Sequence, residues 1–306
     1  MLMPVFASSK VAFHVSFLAC FMICTGMSNS ASNWRPVVLM HGMNGDAKNL
    51  QHLKTTIEER YPGIYVHNLN ISNGLKSVFH NMPYLMNKIV ETIRADPKLK
   101  NGFNFYGESQ GALQARTYVS MYNDPPVYNL VSICGPQAGV GECPTIVQKW
   151  KNLCADAGTM LQIYDWPVCD FCSYWKDNRD ETDYQKRSKW LAEVNNEQGS
   201  FGAINETYAK RMRSLNKYMA TRALKDEIVL PSESAHHRFW KWGDETRAEG
   251  NILPLEETEG YINDWLGLKT LNERGDLILN EIDTAHIKYN MTWWKKHVLP
   301  MFNNKL

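Results

Sequence analysis

The sequence predicts an α/β fold with a mainly parallel central sheet and helices on both faces. Two observations carry this. From Arg35 onward, short apolar runs alternate with segments whose apolar residues recur at helical spacing. A Gly-Glu-Ser-Gln-Gly pentapeptide at 107–111 also stands between a strand-like run and a helix-compatible one. Pro36-Val37-Val38-Leu39-Met40 is apolar throughout, as suits a strand buried on both faces. Residues 48–61 predict a helix and 64–69 a second strand. Leu85, Ile89, Val90 and Ile93 share a helical face, and Asp96-Pro97 ends that helix. Residues 103–106 form the third strand, 112–119 the helix behind the pentapeptide, and 128–134 the fourth strand. From about Gly139 to Asn216 the alternation breaks. That stretch is charged and rich in Trp and Cys, and reads as an insertion over the sheet rather than a domain of its own. Strands resume at 218–221 and 276–279, and a closing helix contains Trp293, Trp294, Val298 and Leu299.

The first residues differ from the rest. Lys10 is their only charge, an apolar run spans 11–24, and Thr25, Gly26 and Ser28 follow. A basic start, an apolar run and a small-residue exit describe a secretory signal peptide, here 1–27, which leaves 28–306 as a single domain. The run is shorter than the roughly 20 residues that span a bilayer, and no later segment is apolar for long enough, so the mature chain is expected to have no transmembrane span. Loss of Lys10 takes the formal charge from +1 to 0. With no basic stripe either, nucleic acid is excluded as a partner. Sequons at Asn70, Asn205 and Asn290 suit a glycoprotein. Five cysteines remain beyond the leader, so an oxidising compartment leaves one unpaired. Cys134 is the expected free thiol, because it ends the apolar run 130–133. Cys169-Asp170-Phe171-Cys172 is a CxxC without a second pair at zinc spacing, and it reads as a structural staple.

The pentapeptide carries the chemistry. A G-x-S-x-G turn between strand and helix lifts a serine from the sheet edge, the nucleophile elbow of an α/β-hydrolase fold, and makes Ser109 the candidate nucleophile. Serine needs a base, and this fold supplies its partners in the order serine, acid, histidine. Asp226 follows a strand by a few residues, with Glu227 as its rival. His286 lies in a loop after the last strand, ahead of the closing helix. His297 falls within that helix, and His236-His237 precedes an aromatic run, positions that suit packing. The oxyanion donors are expected from the amides of Gln110, next after the serine, and Met43, in the His41-Gly42-Met43 turn after the first strand. This chemistry needs no metal and no cofactor.

His41-Gly42-Met43, Gly107–Gly111 and Asp226…His286 together resemble the palmitoyl-protein thioesterases. So do Asp96-Pro97-Lys98-Leu99, Tyr174-Trp175-Lys176-Asp177, Ile204-Asn205-Glu206-Thr207-Tyr208 and Leu266-Gly267-Leu268-Lys269. The likeness runs from about Pro36 to Phe302. It implies a lysosomal serine hydrolase that removes long fatty acyl groups from S-acylated cysteines of proteins or peptides. By motif position it implies Ser109, His286 and Asp226 as the triad, Asp226 over Glu227, and a Cys143–Cys154 disulfide. The family has an aromatic residue before the serine, where this chain has Glu108, and some members have cysteines where it has Asp46, Ala47 and Lys48. These departures bear on acyl-chain preference. Trp150, Trp166, Trp175 and Trp190 of the insertion either wall the acyl groove or form the insertion's own core. A lipid esterase or an acyl-CoA thioesterase would share every catalytic residue, whereas a non-catalytic acyl-chain binder would have no need of all three.

Overall fold

A computed structural model of the chain describes residues 33–143, 164, 170–197 and 204–306. Six strands form one sheet: β1 (Val37–Met40), β2 (Val66–Asn68), β3 (Phe103–Glu108), β4 (Val127–Ile133), β5 (Lys217–Ala223) and β6 (Leu277–Ile282). Their order is β2-β1-β3-β4-β5-β6, and every neighbouring pair is parallel. The chain starts at β1, steps outward to β2, then crosses back to β3 and continues the other way. The strand order therefore reverses between β1 and β3, and loops leaving the carboxyl ends of those two strands diverge around a crevice.

Alternation along the strands splits the core into two layers. On β1, Val38 and Met40 pack into one apolar cluster and Val37 and Leu39 into the other. The first layer takes Leu85, Ile89 and Ile93 of the helix Met82–Ala95, Leu113 of the helix Gln110–Thr117 and Met212 of the helix Glu206–Arg213. The second takes Leu53 and Ile57 of the helix Gln51–Arg60, and Trp294, Val298 and Phe302 from the end of the chain. Helices on both faces are what a parallel sheet with short connections requires. The closing helix ends at His297, and Leu299–Phe302 tightens into a 3-10 turn with Pro300 in its first turn.

Register fixes where β1 and β3 end. Met40 pairs with Gly107, so His41-Gly42 runs beside Glu108-Ser109. The fit is tight enough to dictate side chains. A Cβ on Gly111 would lie 2.4 Å from the His41 carbonyl oxygen and 2.6 Å from that of Met40. The helix after Ser109 thus packs its first turn directly on the backbone leaving β1, which only glycine allows.

Between β4 and β5 the described residues contribute the helical segments Asp170–Ser173, Glu181–Arg187, Leu191–Val194 and Glu206–Arg213. Arg116 of the elbow helix, fully buried, ties this region down. Its guanidinium donates to the Gln137 side chain at 3.0 Å, the Gln137 carbonyl at 3.1 Å, Asn195 Oδ1 at 2.6 Å and the Val194 carbonyl. Burial pulls its pKa down to about 10, against the neighbouring Tyr218, Glu197 and Tyr184, which raise it. Trp175 and Trp190 belong to the main core cluster, 0 % and 9 % exposed, so they build the interior rather than a groove wall. Trp150 and Trp166 lie outside the described residues. No helix among the described residues is long and apolar enough to cross a membrane.

Two changes test this packing. Gly111→Ala is expected to destabilise the fold by about 1–3 kcal/mol or more, because its neighbour is backbone and cannot turn aside. Arg116→Met strands several buried acceptors at about 1–3 kcal/mol each and should lower the melting temperature at least as far. Thermal unfolding followed by circular dichroism measures both, and wild-type melting curves would contradict the account.

Candidate active site

Ser109 follows β3 directly and holds φ 54°, ψ −127°, a backbone conformation that costs a non-glycine residue roughly 1–3 kcal/mol. Its amide donates to the Ile133 carbonyl at 2.8 Å, and its own carbonyl accepts from Ala112 at 3.0 Å. These bonds hold the turn while the hydroxyl projects at the crevice between β1 and β3.

Two further loops converge there. Asp226 lies three residues beyond β5, and its Oδ1 accepts the amides of Ile228 and Val229 at 2.9 Å each. Its Oδ2 accepts from His286 Nδ1 at 2.7 Å. Because the carboxylate only accepts, Nδ1 carries the hydrogen and Nε2 is left as an acceptor. Nε2 sits 2.8 Å from Ser109 Oγ. The carboxylate side chain is 2 % exposed and the imidazole 11 %, so the relay is shielded from water at its acid end and reachable at its serine end.

The other candidates part company. Glu227 is exposed. His236 Nε2 donates to the Asn280 carbonyl at 2.9 Å, His237 Nε2 meets the Tyr218 hydroxyl at 2.8 Å, and the His297 ring stacks on Trp293 at 5.2 Å. Cys134 is a buried free thiol at the end of β4. Its sulfur, a carboxylate oxygen of Asp226 and a ring nitrogen of His286 lie within 4.8 Å of one another, and burial raises the thiol's pKa. Cys143 and Cys172 both sit in disulfides, whereas Cys154 and Cys169 lie outside the described residues. The sequon residues Asn70, Asn205 and Asn290 are exposed. Asn205 Oδ1 caps a helix through the Thr207 amide at 3.0 Å, and Asn290 Oδ1 does so through Trp293 at 2.9 Å.

Met43 lies in the loop after β1, and Gln110 is the first residue of the helix that follows Ser109. A helix's first N–H has no partner within the helix. A Cβ on Gly42 would come 2.9 Å from Ser109 Cβ, which shows how closely the two loops run. The insertion adds a clamp that sequence reasoning missed. Gln110 Nε2 donates to Asp170 Oδ2 and lies 3.4 Å from the Tyr174 hydroxyl, which in turn reaches Met43 Sδ at 3.9 Å. Two residues of the inserted region therefore reach Gln110, and Tyr174 reaches Met43 as well. Asp170 is fully buried, and burial holds its carboxyl well above the usual carboxylate range. Its place in the CxxC was visible in the sequence, but nothing there aimed it at Gln110.

A cavity of about 310 Å³ lies elsewhere, lined by Gln137, Lys176, Glu197, Trp240, Trp242 and Leu266 among others. Ser109, His286 and Met43 do not line it, so it is separate from the catalytic crevice.

Residues 36–286 match the model of the family described as palmitoyl protein thioesterase. The chain is 37% identical over 256 residues to palmitoyl-protein thioesterase 3 of Dictyostelium discoideum, covering 82% of this chain and 85% of that one. Identity is 33% over 285 residues to palmitoyl-protein thioesterase 1 of Caenorhabditis elegans, with 89% and 93% covered. It is 25% over 269 residues to lysosomal thioesterase PPT2 of Homo sapiens, with 86% and 84% covered. A serine elbow, its histidine and its acid at the switch point of a parallel sheet, in a chain matched over most of its length, leave one assignment: the chain belongs to the palmitoyl-protein thioesterase family.

Proposed function

We propose that this protein is a serine thioesterase that removes long-chain acyl groups, palmitoyl above all, from S-acylated cysteines of proteins or peptides. Ser109 is the nucleophile, His286 the general base and Asp226 the acid that fixes the imidazole tautomer. His286 Nε2 takes the hydroxyl proton as Ser109 Oγ attacks the thioester carbonyl. The carbonyl oxygen becomes an oxyanion, to which the Met43 and Gln110 amides donate. Collapse breaks the C–S bond, the sulfur takes the proton held on His286 and leaves as the cysteine thiol, and the acyl-serine is then cleared by water with the neutral His286 again as base. The observation that carries this reading is the unbroken Asp226–His286–Ser109 relay, with contacts of 2.7 and 2.8 Å, in a chain of this family.

Several relatives are named lysosomal thioesterases, and we infer the same destination here, reached through the secretory pathway after removal of residues 1–27. Glycans at Asn70, Asn205 and Asn290 belong to that reading. Glycosylation takes the amide nitrogen and leaves Oδ1 free, so the helix caps at Asn205 and Asn290 survive it.

Ser109→Ala is expected to cut thioesterase turnover by about 10³-fold or more in a folded protein, and His286→Ala by a similar factor. Asp226→Asn should cost heavily while Glu227→Gln leaves the rate unchanged. Steady-state assays on palmitoyl-cysteine peptide decide this, and near-normal turnover in Ser109→Ala would sink the mechanism.

Recognition of the acyl chain rests on apolar burial at about 0.8 kcal/mol per CH₂. kcat/KM should therefore rise as the chain lengthens toward palmitoyl, by less than about tenfold for each two carbons, since ordering the chain takes back part of the gain. Thioesters should outrun matched oxygen esters. A short-chain optimum, or equal handling of oxygen esters, would move the assignment to a general esterase.

A further inference from the structure

Glu108 is the residue just before the nucleophile, and it is a carboxylic acid 6 % exposed. No cation pairs with it among the described residues. It sits instead in a cage of phenols. The Tyr106 hydroxyl donates to Glu108 Oε1 at 2.6 Å, the Tyr289 hydroxyl donates to the same oxygen, and the two phenol oxygens are 3.0 Å apart. Tyr106 lies two residues back on β3, on the same face of the sheet as Glu108. Tyr289 comes from elsewhere, three residues beyond His286 in the loop that leads to the closing helix. Both rings are wedged by aromatics of that helix, Tyr106 edge-on to Trp294 at 6.2 Å and Tyr289 tilted on Trp293 at 6.0 Å. The cage therefore bolts the segment carrying the base to the segment carrying the nucleophile.

We propose that Glu108 is a positioning residue for the hydrolysis: through Tyr106 and Tyr289 it holds the His286 loop against the Ser109 turn. The inference rests on the serine-hydrolase reading above. The groups facing Glu108 are Tyr106, Tyr289, His286, His52 and the Cys134 thiol. Burial raises its carboxyl above the ordinary value of 4.5, against the two phenol donors and the two histidines, which lower it. A raised carboxyl contributes stability that is fully present below about pH 4.5 and lost as the pH climbs through the folded-state value.

The test compares wild type, Glu108→Gln and Tyr289→Phe on a palmitoyl thioester, with kcat and kcat/KM measured against pH. Glu108→Gln keeps the shape and an acceptor oxygen but removes the charge. Its melting temperature should gain on wild type as pH rises above about 4.5. Tyr289→Phe removes one bolt and should lower kcat by about tenfold with KM within about twofold. A purely structural role would lower melting temperatures without lowering kcat apart from KM. Folded variants with wild-type kcat and a pH-independent difference in melting temperature would overturn the inference. Should Glu108→Gln not fold, Tyr289→Phe decides alone, and an unchanged kcat overturns it. An inactive wild type would instead sink the hydrolase reading, whereas an active wild type beside two silent variants sinks only this inference.

Discussion

The structure depends on one steric constraint, the near-contact of the backbone leaving β1 with the turn and helix leaving β3. Gly42 passes Ser109, and Gly111 passes the Met40 and His41 carbonyls, at distances that no side chain tolerates. This contact sets the strained φ of Ser109, points its hydroxyl into the crevice and brings the Met43 loop beside the Gln110 amide. Strain in the serine is sustained because rigid elements surround it, β3 on one side and the packed helix on the other. The parallel sheet supplies the rest. Asp226 leaves β5 and His286 follows β6, so both arrive at the same edge of the sheet as Ser109.

The parts of this arrangement legible in the sequence are those written in short-range code. An apolar run, a glycine pair around a serine and a Pro-terminated helix each announce themselves within a few residues. The order serine, acid, histidine then points to Asp226 and His286, because each follows a strand and strands of one sheet end together. Glu227 shares Asp226's position in the chain but not its direction. A one-residue step turns a side chain away, so the local pattern leaves the two equal, the resemblance favours Asp226, and the structure brings Asp226 to His286. Free Cys134 was legible from the odd cysteine count and its apolar run.

What stayed hidden was built from long-range contacts. Asp170 and Tyr174 reach Gln110 across about sixty residues of chain, and the Glu108–Tyr289 bond spans 181. Nothing local encodes such pairs. Glu108 stood out only as a departure from the family's aromatic residue before the serine, and its partners were unreadable. Trp175 and Trp190 were ambiguous for a related reason, since aromatic richness signals burial without saying whether a ligand or the chain itself does the burying. Here it is the chain.

The central claim is that Ser109 carries the acyl group between two half-reactions. Mixing the enzyme with a palmitoyl thioester, quenching in acid within the first turnover and mapping the modified peptide by mass spectrometry tests it most directly. The account predicts a palmitoyl ester on the peptide containing Ser109, formed before free acid accumulates and missing from Ser109→Ala. Acylation of a different residue, with Cys134 the nearest competing nucleophile, or equal labelling of Ser109→Ala, would contradict it.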